Sequence, residues 1–143
     1  MYKAVDLSKY IVIKCAVDDY PITNLHLQKI LYYIQKDFLQ KDKLAFFEDV
    51  EAWQFGPVVP VVYYKFCGFG SMPITNTFEV EGIDPLDVQA IDRIVEGKRL
   101  QTPWDLVADI HRKNGSWDQI YRGGLGNHKI IPQNLIKMEG YCR

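Results

Sequence analysis

Leu27, Ile30, Leu31, Ile34 and Phe38 recur at intervals of three and four, which lines large apolar side chains along one stripe of a helix. Such a stripe cannot face water, so the rest of the chain has to cover it. Thr23 or Asn24 supplies the side-chain oxygen that caps the start of this helix. Gln28, Lys29, Gln35 and Lys36 are expected to lie largely off the stripe.

The second constraint is "VEAWQFGPVVPVVYYKF", Val50 to Phe66. Its first part is aromatic and β-branched and reads as a short strand over 50–55 that Gly56-Pro57 terminates. Proline lacks an amide hydrogen and fits only the first turn of a helix, so Pro60 opens a helix running through Phe66, and "CGFGS" closes it.

Elsewhere the punctuation is equally local. Asp6 is read as the cap of a first helix with Leu7, Ile11, Val12, Cys15 and Ala16 on one face, ended by "DDYP". Ile74, Phe78 and Val80 alternate as in a strand or hairpin arm. Asp84-Pro85 and Thr102-Pro103 each pair a cap with a proline at the first helical position. Ser116 is read as the cap of a short turn, "RGGLGN" as a loop, "KIIP" as a short strand, and the stretch from Pro132 to about Tyr141 as a last helix. The sum is an α+β chain, predominantly helical: a single compact domain over residues 1–143 with about six or seven helices and a small sheet of two or three short strands.

A chain of 143 residues, nearly half of them hydrophobic, is long enough to bury one core without covalent staples. A formal net charge of −1 removes the global basic excess on which non-specific nucleic-acid binding depends, so nucleic acid is not an expected partner. Cys15, Cys67 and Cys142 are odd in number and far apart, which gives neither a disulfide framework nor a paired zinc spacing and makes the reducing cytoplasm the natural compartment. No apolar run approaches the roughly 20 residues of a membrane span.

Chemistry-bearing motifs are sparse. His26, His111 and His128 show no i, i+4 pairing, so no metal and no cofactor is expected. The glycines of "GFGS" and "GGLGN" lack the lysine-serine ending of a phosphate loop and read as turns. Glu48, Asp49 and Glu51 are either a carboxylate pair for acid-base work or a solvated edge, and the edge is the ordinary reading. Cys67 with His111 and Asp109 is the one conceivable thiol arrangement, against which stands the favoured reading of Cys67 as a small buried hydrophobe. His111 reads first as a structural histidine donating to a carbonyl or packed near an indole. No catalytic residue is assigned.

The two blocks taken together, Leu27, Gln28, Lys29, Leu31, Tyr32 and Tyr33, then Glu51, Ala52, Trp53, Phe55, Gly56, Pro57, Val58, Pro60, Val62 and Tyr63, closely resemble the Panacea domain of SocA-like antitoxins and phage-associated proteins. "DIHRKNGSW" is similar to that family's Thr-His block and following tryptophan, with His111 and Trp117 in register and Ile110 where threonine is usual. The resemblance implies a cytoplasmic bacterial or phage-encoded antitoxin, not an enzyme, that neutralises a cognate protein toxin by direct contact. It does so either by covering the toxin's active surface or by presenting the toxin to a protease. Two alternatives stand beside it: a phage-derived protein that binds a host or defence factor, and an enzyme with a site near His111, Asp109 and the Trp53 segment.

Tyrosine and tryptophan combine large contact area with polar tips and dominate interface hot spots. Gln28, Tyr32, Trp53, Gln54, Tyr63 and Tyr64 are therefore the partner-binding candidates, although an aromatic residue at helical spacing, Trp53 and Tyr33 above all, is more often core. Leu27, Lys29, Tyr33, Gly56, Pro57, Pro60, His111 and Trp117 are assigned to the structural motif.

Overall fold

In the computed structural model, which describes residues 1–75, 80 and 82–139, the chain runs α1 (Ala4–Val17), α2 (Asn24–Gln40), β1 (Glu51–Trp53), β2 (Gly56–Val58), α3 (Pro60–Phe66), α4 (Pro85–Lys98), α5 (Pro103–Ile110), α6 (Ser116–Tyr121), β3 (Lys129–Ile130) and α7 (Gln133–Glu139). Short 3-10 turns follow α3 at Cys67–Phe69 and α6 at Arg122–Gly124. The α+β, predominantly helical architecture is the one the sequence predicts.

Helix α2 is the axis of the molecule. Helices α1, α3, α4, α5 and α7 and strand β2 all pack against it, so it is covered nearly all round. The apolar stripe is buried as expected, with Leu27, Ile30, Leu31 and Ile34 fully enclosed. The polar residues expected off the stripe are enclosed too: Gln28, Lys29 and Gln35 are all buried. A stripe argument assumes one wet face, and a helix surrounded by neighbours has none. Each of these enclosed side chains has a backbone partner, as a buried polar group requires: Gln35 donates to the Phe46 carbonyl at 2.8 Å and accepts from Ala45 N–H at 2.9 Å.

The 50–58 segment differs from its expected form. Gly56-Pro57 does not simply end a strand: the chain reverses at Gln54 and Phe55, and Gly56–Val58 returns as β2, antiparallel to β1 with Ala52 opposite Pro57. Strand β3 pairs with the other side of β1, giving the order β2-β1-β3. Pro57 is tolerated because β2 is an edge strand. Gly56 is required twice over, since its φ is +112° and a Cβ there would stand 3.1 Å from Lys29 Cε and 3.2 Å from its Nζ.

Helix starts follow proline and cap chemistry in several places. Thr23 caps α2 by accepting from His26 N–H, Asp84 caps α4, and Thr102 with Asp105 forms a reciprocal capping box on α5. Pro60, Pro85 and Pro103 occupy first turns. Two expected caps are corrected. Helix α1 begins at Ala4, and the carboxylate that receives the Ala4 N–H is Glu48 at 2.9 Å, from a distant loop, while Asp6 sits inside the first turn. Gly115, not Ser116, precedes α6, and Ser116 is its first helical residue. The strand expected around Ile74 to Val80 lies partly outside the described residues; Ile74 itself is buried, donates to the Ile22 carbonyl at 2.8 Å and is not in a strand. The end of the last helix, expected near Tyr141, also lies outside the described residues.

Helices α1 and α4 meet along a polar seam. Tyr2 and Tyr10 donate to Asp87 and Asp92, each at 2.6 Å, and Lys14 bridges Asp18 and Glu96, each at 3.1 Å. Burial and the hydrogen bond to Asp87 push the Tyr2 hydroxyl up to about 12.

Gly56→Ala places a Cβ where both dihedral and space forbid it. It is expected to lower unfolding stability by about 1–3 kcal/mol, the usual cost of a non-glycine residue held at positive φ. A urea midpoint indistinguishable from that of the parent protein would show that neither constraint operates.

Candidate partner-binding pocket

Three side chains of α2, Asn24, Gln28 and Lys29, hold the segment that follows it. Asn24 Nδ2 donates to the Tyr63 carbonyl at 3.1 Å, and Gln28 Nε2 donates to Asn24 Oδ1 at 3.0 Å. Gln28 Oε1 accepts from Val59 N–H at 2.9 Å, and Lys29 Nζ donates to the Pro57 carbonyl at 3.0 Å. The two sequence blocks are thus two halves of one hydrogen-bonded joint. In a buried site a joint of this kind is costly to break, because each lost partner leaves a polar group unpaired at about 1–3 kcal/mol.

Above this joint lies a pocket of about 490 Å³ whose lining includes Gln28, Lys29, Trp53, Gln54, Tyr63 and Trp104. Its walls are aromatic. Trp53 stacks on His128 at 4.3 Å with 15° between the rings and meets Tyr63 edge-on at 4.9 Å, while Phe55 meets Trp104 edge-on at 5.3 Å. Tyr64 lies at the margin, 6.2 Å from Trp53 and largely exposed. The Trp53 carbonyl is fixed from below by Trp117 Nε1 at 2.8 Å. Trp117 is itself sandwiched between His111 at 3.7 Å and Tyr121 at 4.5 Å.

Sequence reasoning placed Trp53, Gln54, Tyr63 and Gln28 among its partner-contact candidates, and all four line this pocket. Gln28 is only 2% exposed and is spent on the joint beneath. Tyr32 goes elsewhere: it is 1% exposed, and its hydroxyl meets Ser116 and Glu139. That correction has the same cause as the one for Lys29, since α2 has no free face on which Tyr32 could be displayed. Trp53, weighed as core, is half-buried and forms a wall.

Phe55, Trp104, Asn127 and His128 also line the pocket and are not among the partner-binding candidates of the sequence. Phe55 sits at the hairpin tip, which was read as strand. Asn127 and His128 follow Gly126, where a Cβ would collide with the Ile120 carbonyl; only the absence of that atom lets the "GGLGN" loop press against α6. His128 N–H then donates to the Ala52 carbonyl at 2.7 Å, which registers the loop against β1.

The electrostatics are uneven. Burial pushes the Lys29 ammonium down to about 7, and it makes no ion pair among those found in the described residues. Burial, helped by the neighbouring Lys29 charge, also pushes the His111 imidazole below its ordinary value. His111 Nε2 is buried without a hydrogen-bond partner among the described residues. His111 therefore packs on an indole as expected but donates to no carbonyl through that nitrogen.

Asp109 lies apart from the pocket. It accepts from Tyr33 and pairs with Arg112 at 2.5 Å, and these contacts outweigh its burial and hold its carboxyl below the usual range. Cys67 is exposed, not buried as expected, because it opens the turn that follows α3; it lies on the pocket lining, whereas His111 and Asp109 do not, so the conceivable thiol arrangement is not assembled there. Glu48 caps α1 and Glu51 accepts from Trp53 Nε1 at 3.0 Å, which sets these two acids to separate tasks. No group of three His, Cys, Asp or Glu side chains placed to hold a metal ion occurs among the described residues, and no helix there is long and apolar enough to cross a membrane.

The family model for the SocA-like antitoxin, Panacea domain, matches residues 27–118. That span runs from the start of the α2 stripe through Trp117. The chain belongs to the SocA-like Panacea family. It is similar to the antitoxin SocA of Caulobacter vibrioides, with 35% identity over 140 aligned residues, covering 87% of this chain and 74% of that protein. No solved structure matches it. In this Panacea domain Lys29 and Gly56 pack against each other, and so do Gln28 and Val59. Tyr33, in the same block, reaches Asp109, and Trp117 reaches the Trp53 carbonyl.

Because folding lowers the Lys29 value to about 7, the unfolded chain holds a proton that the folded chain releases between there and the ordinary lysine range. The charged form therefore penalises the fold below about pH 7, and stability contributed by this group rises with pH from about 7 to about 10. Lys29→Met is expected to flatten that part of the profile. If parent and variant show the same slope of unfolding free energy between pH 7 and 10, Lys29 is not depressed.

Proposed function

We propose that this Panacea protein is an antitoxin that neutralises a cognate protein toxin by direct contact, with the aromatic rim of the pocket as the centre of the interface. The observation that carries this reading is the contiguity of exposed aromatic surface: Phe55, Tyr64 and Trp104 are 47%, 62% and 57% exposed and adjoin the half-buried Trp53 and Tyr63. Isolated exposed apolar residues need no explanation, but a cluster rimmed by Gln54, Asn127 and Ser71 has the make-up of an interface core with a polar border. Membership of an antitoxin family and similarity to a curated antitoxin support the same reading.

The mode favoured here is occlusion. The clustered side chains are carried by short, well-braced elements, the β1-β2 hairpin, α3 and the loop before β3, and a braced surface loses little freedom on docking. Residues 1–143 act in this reading as one domain in the cytoplasm, where the thiols of Cys15 and Cys67 remain free.

Co-expression with the product of the neighbouring gene tests the proposal. That product should arrest growth alone and be rescued by this protein. Tyr64→Ala and Trp104→Ala should each weaken the purified complex by roughly tenfold or more, as hot-spot aromatics do, while Leu86→Ala, on the exposed face of α4, leaves it unchanged. A harmless neighbour product, or full rescue by the Tyr64→Ala/Trp104→Ala double variant, would refute it.

A further inference from the structure

The pocket has a property that the interface reading does not use, which is its charge. The chain carries 18 acidic and 17 basic side chains, yet among the described residues no aspartate or glutamate lines this pocket, and the nearby Glu51 carboxylate is engaged by Trp53 Nε1 at 3.0 Å. Beneath its floor lies the Lys29 ammonium, with no solvent exposure, one hydrogen bond to the Pro57 carbonyl and no carboxylate paired with it among the described residues. Asn24 and Leu25, the first residues of the 17-residue helix α2, also line it, which brings the positive end of the helix dipole to the same place. The volume, about 490 Å³, falls in the range of small-molecule sites.

The walls specify shape. Trp53, Tyr63, Phe55 and Trp104 present ring faces and edges suited to a flat ring. Aromatic walls also suit cations, but a cation here would face a buried ammonium and a helix N-terminus, with no carboxylate among the described lining residues to offset them. A neutral ring would gain the stacking and leave the buried charge uncompensated. We infer that this pocket binds a small planar aromatic acid, with its ring on Trp53 and its carboxylate toward the start of α2. The Gln54 and Asn127 amides at the mouth supply hydrogen-bond donors, and Lys29 acts on the carboxylate as a charge held close by in a poorly screened medium.

The inference is independent of the toxin, and the test uses the isolated full-length chain. The probes are 2-naphthoate, its neutral counterpart 2-naphthamide and the cation 2-naphthylmethylammonium, followed by calorimetry and amide NMR shifts. At pH 6, where Lys29 holds its proton, naphthoate should bind at least tenfold more tightly than naphthamide, with shifts concentrated at residues 53–56 and 127–128, and the ammonium should not bind. Lys29→Met should reduce naphthoate to the affinity of the amide and leave the amide unchanged. In the parent protein, should that variant fail to fold, the Lys29 side chain followed by NMR should hold its proton to higher pH when naphthoate is bound.

Equal binding of acid and amide, shifts away from the pocket, or an unmoved Lys29 titration would each overturn the inference. So would tighter binding of a tetrapeptide ending in tryptophan with a free carboxylate, which would reassign the pocket to a polypeptide chain end. None of these outcomes depends on whether the protein is an antitoxin.

Discussion

One buried lysine sets the terms for the rest of this fold. Lys29 is enclosed at the middle of a helix that is packed on nearly every side, and its ammonium reaches the carbonyl of Pro57. Burying an ammonium is unfavourable unless its hydrogen-bonding is met, so the residues around it are not free to vary in shape. Gly56 suits a φ of +112° and leaves room for the lysine end, which a Cβ would press at 3.1 Å, and the hairpin turns at Gln54 and Phe55 to place it there. Gln28, one residue earlier on the helix, holds the next stretch by taking the Val59 N–H. The short β1-β2 hairpin, which alone would be marginal in water, is thereby anchored to the longest helix.

The pocket is a consequence of that anchoring. Fixing β2 and the start of α3 to α2 leaves Trp53 and Tyr63 side by side above the joint, and the Trp117 indole holds the Trp53 backbone from the other side. His111 stacks on Trp117, which gives it a structural task without assigning it chemistry. The same bracing supports both readings of the site: a toxin surface and a planar acid each meet aromatic side chains carried on backbone that is already fixed. The inferred preference for negative charge rests on the buried Lys29 and the start of α2, with no carboxylate among the described lining residues.

Much of the fold was legible because its signals are local. Thr23, Asp84 and Thr102 cap where their chemistry places them, and Pro60, Pro85 and Pro103 open helices where a missing amide hydrogen costs nothing. The misread features depend on distant partners. Glu48 displaced Asp6 as the group receiving the α1 amide because a loop more than forty residues away folds back over that end. Gly56-Pro57 looked like a stop because proline is a poor strand residue, and only its edge position makes a second strand possible. Of the pocket, Trp53, Gln54 and Tyr63 stood out by residue type, whereas Phe55, Trp104 and His128 carry no periodic signal that would gather them.

By itself the sequence determined the helices, the apolar stripe of α2, the family and the aromatic character of the segment after it, since each depends on neighbours within a few positions or on an ordered motif. Tertiary structure alone decided that α2 would be surrounded. That one fact turned Gln28, Lys29 and Tyr32 from apparent surface residues into buried ones, because a helix's polar side is exposed only where nothing packs against it. It likewise decided that Trp104 and His128, far apart in the chain, would share one pocket with Trp53, since convergence over such separations is fixed by packing and not by any spacing in the sequence.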